Sequence, residues 1–149
     1  MINNILASSV SIMPKWFIKL FSKSYIAGHE PKEVIDIVKN LNTQGFSATI
    51  DILGEHVSSR EKTNSVTKEY IQLYNDIAKN SVDSNISVKP THIGLDISMS
   101  LVLENFKKLT EKASECSNFL RIDMENSKNT DSTFETVSYT HLRAHETIA

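Results

Sequence analysis

The chain has 149 residues, of which 40% are hydrophobic and 23% are charged, and its formal net charge is −2. This composition is typical of one globular domain, and the slightly negative charge argues against nucleic acid as a partner. A single cysteine cannot form an intrachain disulfide, and no Cys and His spacing typical of a metal site occurs. No apolar run approaches the roughly 20 residues that cross a bilayer, so we expect a cytoplasmic protein.

Residues 1–28 are predicted to be a helical segment. Between Ile12 and Ile26, Trp16 and Leu20 lie at helical spacing, with lysines on the opposite side. This pattern predicts an amphipathic helix. It either packs on the domain or lies on a membrane surface, because Lys combined with Trp and Phe is also typical of interfacial helices.

Residues 29–137 alternate between helices and short strands. A fourth helix is predicted to begin at Thr130 or Asp131. Strands that alternate with helices of this size predict a parallel sheet with right-handed crossovers, either as a barrel or as a doubly wound open sheet. Helices are predicted over 31–44, 63–80 and 98–115, and strands over 46–53, 85–89 and 118–124.

The strands favour the barrel, because alternate residues in each are apolar and the others polar. The polar sets contain Asp51, Lys89, Arg121 and Asp123. An open sheet buries both faces under helices, whereas a barrel can direct a polar set towards its interior. We therefore predict an α/β fold, an incomplete (β/α)8 barrel of about three βα units preceded by N-terminal helices. We also predict that Asp51 and Arg121 point inward and form an ion pair.

Three charged residues follow the three predicted strands. Glu55, Lys89 and Asp123 are each separated by 34 residues. Charges at the carboxyl ends of parallel barrel strands mark the catalytic face. Lys89 can bind a substrate carboxylate or keep a neighbouring acid ionised, and Asp123 can pair with it. Glu55 follows Gly54, which permits a sharp turn and leaves the carboxylate mobile over the mouth.

Motifs exclude more than they assign. No glycine-rich phosphate loop, CxxC pair, HExxH or GxSxG occurs. His56 and His92 lie in loops next to the predicted site, but neither has an acid–base partner at a fixed spacing, and we give them no role. Two alternatives remain open. One is a barrel enzyme of another class that uses Lys89 as a Schiff-base amine; the other is a non-catalytic fragment that binds a membrane or a partner through its N-terminal helix.

Three segments resemble the flavin-dependent proline dehydrogenases. They are Leu41 to Glu55, Ile86 to Asp96 and Phe119 to Glu125, in matching order and spacing. The resemblance extends from about Phe17 to about Glu135. It implies a (β/α)8 barrel that holds FAD and oxidises L-proline to 1-pyrroline-5-carboxylate by hydride transfer to the flavin N5.

The same resemblance implies roles for four residues. Lys89 would contact the substrate carboxylate, with Asp123 as the active-site aspartate beside it. The backbone of Met124 would touch the flavin, and Glu55 would close over bound substrate by pairing with a late arginine. A quinone or another membrane electron acceptor then becomes a candidate partner, with peripheral contact at the inner face of the membrane.

Residues 138–149 differ in character from the rest. The run from Ser138 to Thr147 resembles the peptide obtained when sequencing-adapter DNA is translated, and we exclude it from the fold prediction. The later strands and the paired arginines that the resemblance implies have no counterpart before it. We therefore expect this chain to be truncated and inactive on its own.

Overall fold

The computed structural model describes residues 26–28 and 30–144. The predicted helix before Ile26 and the last residues of the predicted tail lie outside this range. In chain order the elements are α1 Pro31–Thr43, β1 Ala48–Asp51, α2 Arg60–Asn80, β2 Ser84–Val88, a 3-10 turn Pro90–Ile93, α3 Met99–Glu115, β3 Leu120–Ile122, a second 3-10 turn Ser127–Asn129 and α4 Thr130–Ala144.

The three strands form one parallel sheet in the order β1-β2-β3. The helices pack in sequence, with α1 on α2, α2 on α3 and α3 on α4. Such consecutive contacts are expected where the helices follow one another along one side of a sheet. The predicted α/β class and parallel sheet are thus confirmed.

Local sequence sets the helix ends. Gly45 has φ 84°, a conformation that favours glycine, and α1 ends just before it, as predicted. The second helix begins three residues earlier than predicted, because the Ser59 hydroxyl accepts a hydrogen bond from the Lys62 amide and caps it. The Asn126 side chain caps the second 3-10 turn by accepting from the Asn129 amide, and α4 follows at Thr130, one of the two predicted start residues. This helix crosses residue 138 without a break, and the boundary proposed there stays a prediction.

The core lies between the sheet and helices α2 and α3. Tyr70 and Phe106 from the helices and Ile86 and Val88 from the central strand are fully buried. The first strand is shorter than predicted, because Phe46 and the last residue of the predicted run, Leu53, are 59% and 69% exposed. Within the observed strands, the apolar residues lie in or against the core that the helices form, as the alternation predicted; they are Ile50, Ile86, Val88, Leu120 and Ile122.

The strand register matches only one of the two 34-residue intervals between the charged residues. Ala48 pairs with Ser84, an offset of 36 residues, whereas Ile86 pairs with Leu120, an offset of 34. The interval between Lys89 and Asp123 therefore matches the register, but the interval between Glu55 and Lys89 does not.

The predicted ion pair between Asp51 and Arg121 is wrong. The register places Ser87 between them, so they are two strands apart, about 9–10 Å at ordinary strand spacing. Arg121 is exposed, and its guanidinium lies 5.9 Å from the centre of the Phe119 ring. Asp51 instead forms an ion pair with Lys89, which directly follows the neighbouring strand. Separately, none of the helices in the described part of the chain is long and apolar enough to cross a membrane.

Candidate active site

Three charged side chains meet beyond the carboxyl ends of the strands. Lys89 directly follows β2 and begins the 3-10 turn at Pro90. Its Nζ lies 2.5 Å from Oδ2 of Asp51 and 3.4 Å from Oδ2 of Asp123. The Asp123 amide donates to the Val88 carbonyl, which keeps the residue after β3 in register with β2. We call Asp51, Lys89 and Asp123 the charged cluster.

The cluster holds its lysine as an ammonium ion. The hydrogen bond to Asp51 raises the pKa of Lys89 above its usual range, and the charges of both aspartates add to the effect against partial burial. With both carboxylates ionised the cluster carries one net negative charge. A Schiff-base lysine needs a neutral amine, which desolvation or a neighbouring cation favours. The surroundings of Lys89 act in the opposite direction.

A buried polar layer supports the cluster. The Tyr70 hydroxyl lies 3.3 Å from the Ile52 carbonyl and 3.2 Å from Nδ1 of His92. Both contacts are satisfied when Nδ1 carries the proton, because the hydroxyl then donates to Ile52 and accepts from His92. Burial raises the pKa of the Tyr70 phenol and lowers that of the His92 imidazole. Both groups are therefore neutral near pH 7.

A carboxylate links the loop after β3 to the turn after β2. Glu125 accepts hydrogen bonds from the amide of Thr91, at 3.0 Å, and from its hydroxyl. Thr91 is fully buried, and its hydroxyl also accepts from the His56 amide, while its carbonyl accepts from the Val57 amide. Thr91 therefore ties the loops after all three strands together around the charged cluster.

Glycine is required where the loop after β1 crosses this layer. A Cβ added to Gly54 would lie 2.2 Å from Nε2 of His92 and 2.6 Å from its Cε1. His92 itself is only 4% exposed. The glycine thus allows the backbone to approach the imidazole, in addition to any turn that it permits.

Comparison with known proteins identifies the family. A family model described as proline dehydrogenase matches residues 34–147. The chain belongs to the proline dehydrogenase family. It is 38% identical over 110 residues to Proline dehydrogenase 2 of Bacillus subtilis subsp. natto, covering 74% of this chain and 36% of that protein. It is 26% identical over 117 residues to Proline dehydrogenase of Deinococcus radiodurans, covering 76% of this chain and 38% of that one.

A solved structure shows the same fold. Proline utilization A (PutA) from Bdellovibrio bacteriovorus, inactivated by N-propargylglycine, superposes with a TM-score of 0.69 at 22% identity. The match covers 76% of this chain and 14% of that one. The chain therefore spans about a third of its curated relatives in the proline dehydrogenase family and a smaller part of PutA.

The structure brings together two of the four site residues that the resemblance to the proline dehydrogenase family suggested. Lys89 and Asp123 meet in the charged cluster. Met124 directly follows Asp123 in the sequence and is 49% exposed. Glu55 is exposed, and within the described residues its carboxylate makes no hydrogen bond or ion pair.

His56 and His92 each have a hydrogen-bond partner that the sequence spacing did not reveal. His92 binds Tyr70 in the buried layer, and Nδ1 of His56 lies 2.7 Å from Oδ2 of Asp96. The hydrogen bond to Asp96 raises the pKa of His56. Glu125 and Thr91 were also missed, although a signal existed, because they are 34 residues apart, like Lys89 and Asp123. Within residues 26–28 and 30–144, no cluster of three His, Cys, Asp or Glu side chains is arranged to hold a metal ion.

Proposed function

We propose that residues 29–137 form the first three βα units of a (β/α)8 barrel that binds FAD and oxidises L-proline to 1-pyrroline-5-carboxylate. The observation that carries the proposal is the charged cluster. It lies beyond the carboxyl ends of adjacent parallel strands, where barrel enzymes place their catalytic groups, in a chain of the proline dehydrogenase family. The consecutive packing of the helices supports the barrel.

The cluster can bind both charges of a zwitterion. An ammonium has three N–H donors, and Lys89 donates one of them to Asp51, while Asp123 forms a longer ion pair at 3.4 Å. A remaining N–H can donate to the carboxylate of proline. The Asp123 side chain is 47% exposed, against 28% for Asp51, so its oxygens are the more accessible acceptors for the amine. These contacts would bind and orient the substrate.

Exposed apolar side chains beside the cluster fit a flat aromatic cofactor. Leu53 follows β1 and Met124 follows β3, and both are about half exposed or more. We assign to the Met124 backbone the flavin contact that the family resemblance implies, with its exposed side chain as neighbouring apolar surface. When bound, FAD supplies the hydride acceptor. This chain supplies apolar surface for the ring and charges for the substrate.

We assign Glu55 the role of a gate over the bound substrate. Its carboxylate is exposed, and it lies between Gly54, which is packed against His92, and His56, whose amide is bound to Thr91. Both neighbours are therefore anchored. Closure would come from the Glu55 side chain and a local backbone change, with a cation from the remainder of the barrel as its partner.

A chimera tests the proposal. The 110 residues that match Proline dehydrogenase 2 of Bacillus subtilis subsp. natto would replace their counterpart in that protein. We expect a yellow protein that reduces a dye when proline is added. Lys89→Ala should raise KM for proline at least roughly tenfold, because a charged hydrogen bond contributes about 1.5–3 kcal/mol, and it should leave FAD bound.

The control variant is Lys68→Ala, which removes an exposed lysine from α2 and should change neither KM nor the flavin spectrum. Loss of flavin absorbance in Lys89→Ala would contradict the substrate-binding role. A folded, yellow chimera that is inert towards proline would overturn the proposed reaction. Borohydride trapping of Lys89 with a carbonyl substrate would favour the Schiff-base alternative, which its raised pKa opposes.

The electron acceptor and the membrane contact belong to the same proposal. We propose a quinone or another membrane acceptor, with peripheral contact made by residues 1–28. Reduction of a soluble quinone by the chimera with proline tests the acceptor. Co-sedimentation of the 149-residue chain with anionic liposomes, compared with a chain lacking residues 1–28, tests the contact.

A further inference from the structure

Asp51 is the nearer partner of Lys89. It is the last residue of β1 and lies opposite Ser87, two residues before the lysine. Residues in this diagonal relation on neighbouring strands are within reach of a long side chain. The contact from Lys89 Nζ to Asp51 is 2.5 Å, against 3.4 Å to Asp123.

Asp51 is also the more firmly held of the two aspartates. The sheet pairs its backbone with β2. Its Oδ1 is buried and has no hydrogen-bond donor among the described residues. The Tyr70 hydroxyl of the buried layer lies 3.3 Å from the carbonyl of the next residue, Ile52. Asp51 therefore directs Oδ2 at the ammonium from a rigid position, whereas Asp123 lies in a loop and is half exposed.

We propose that Asp51 is the positioning residue for Lys89. It fixes the ammonium, keeps it charged and leaves Asp123 as the carboxylate that faces a ligand. The contact between Asp51 and Lys89 stands on the geometry alone, while its consequence for proline binding rests on the proposed function.

The pH dependence of lysine labelling tests the contact directly. The 149-residue chain is labelled with trace acetic anhydride across a pH series, and mass spectrometry gives the pH midpoint for each lysine. In Asp51→Asn we expect labelling of Lys89 at a fixed pH below the midpoint to rise roughly tenfold, because the charged hydrogen bond is lost. Asp123→Asn should raise it by about threefold at most, since that contact is longer and more exposed.

Two controls separate positioning from unfolding. Asp36→Asn changes an exposed aspartate on α1, and the exposed Lys68 serves as the internal reference in every sample. The labelling midpoint of Lys89 should not change in Asp36→Asn, and the midpoint of Lys68 should not change in any variant. Asp51→Glu should restore part of the Lys89 shift, because it keeps the charge.

Several results would overturn the proposal. They are an unchanged Lys89 midpoint in Asp51→Asn, a larger shift in Asp123→Asn, or a parent chain in which Lys89 titrates like Lys68. If Asp51→Asn does not fold, the parent chain decides, since equal labelling midpoints for Lys89 and Lys68 would refute the contact.

Kinetics in the chimera separate this inference from the proposed function. Asp51→Asn should raise KM for proline by a factor similar to that of Lys89→Ala, with a smaller change in kcat. A chimera inert towards proline that still shows the Lys89 labelling shift would reject the reaction and keep the positioning role. An active chimera whose KM is unchanged by Asp51→Asn would reject the positioning role alone.

Discussion

Substitution of Gly54 by alanine tests the packing beneath the charged cluster. The new Cβ would lie 2.2 Å from Nε2 of His92, far inside contact distance. The imidazole has little room to move, since it is 4% exposed and bound to Tyr70. Overpacking of this kind typically costs about 1–3 kcal/mol. At roughly 2–4 °C for each kcal/mol in a chain of this size, we expect Tm to fall by about 4–8 °C for a cost near the middle of that range.

A double-mutant cycle identifies the cause. His92→Ala removes the ring, so Gly54→Ala should then be neutral or slightly stabilising, and the coupling energy should be about 1–3 kcal/mol by urea denaturation. Gly45→Ala is the matched control. Gly45 has φ 84° and no atom within 4 Å of an added Cβ, so its cost of about 1 kcal/mol is backbone strain and should not depend on His92. Equal costs for Gly54→Ala in both backgrounds would refute the reasoning.

Three further predictions concern the same region. Burial lowers the pKa of His92, so the unfolded chain binds more protons below about pH 6.5, and stability should fall as the pH drops from 7.5 to 5.5. Urea midpoints test this in a His56→Gln background, because the raised pKa of His56 makes stability depend on pH in the opposite direction. A pH dependence that persists unchanged when His92→Gln is added would contradict the prediction. Glu125→Ala should lower the free energy of unfolding by about 1–3 kcal/mol, because the buried Thr91 loses its acceptor. Glu125→Gln keeps an acceptor oxygen and should lower it less. Equal shifts in Tm for the two variants would argue against that reason. Arg121→Ala should change stability by no more than about 0.5 kcal/mol, whereas a loss above 2 kcal/mol would point to an ion pair that the structure does not show.

The order and type of the elements could be predicted, because they depend on local signals. Helical spacing and capping residues such as Ser98 define α3, and the Ser98 hydroxyl accepts from the Leu101 amide at its start. Strand ends were less predictable. Phe46 and Leu53, the two ends of the predicted first strand, have no strand partner in the described sheet, since pairing depends on residues distant in sequence.

The site was predictable in composition but not in pairing. Strand-end charges identified Lys89 and Asp123, yet the offset of 36 between β1 and β2 could not be read from the sequence, and it decides which residue of β1 reaches the lysine. Asp51 was therefore assigned to the wrong cation. The contact between Tyr70 and His92 was not predicted for a similar reason, because a residue on α2 and one in a 3-10 turn meet only through tertiary packing.

The charge of the described site limits how it can bind a carboxylate. The charged cluster has two carboxylates and one ammonium, and Glu55 and Glu125 lie on loops beside it. Among the described residues, Lys89 is the one cation that forms ion pairs at these strand ends. Each carboxylate here strengthens the ammonium but opposes an incoming anion. A zwitterion that met this surface alone would be held mainly by its cationic end, through Asp123, while Lys89 would hold the carboxylate more weakly. On the proposed function, tight binding of the carboxylate therefore requires cations in addition to Lys89, which agrees with the later arginines that the family resemblance implies.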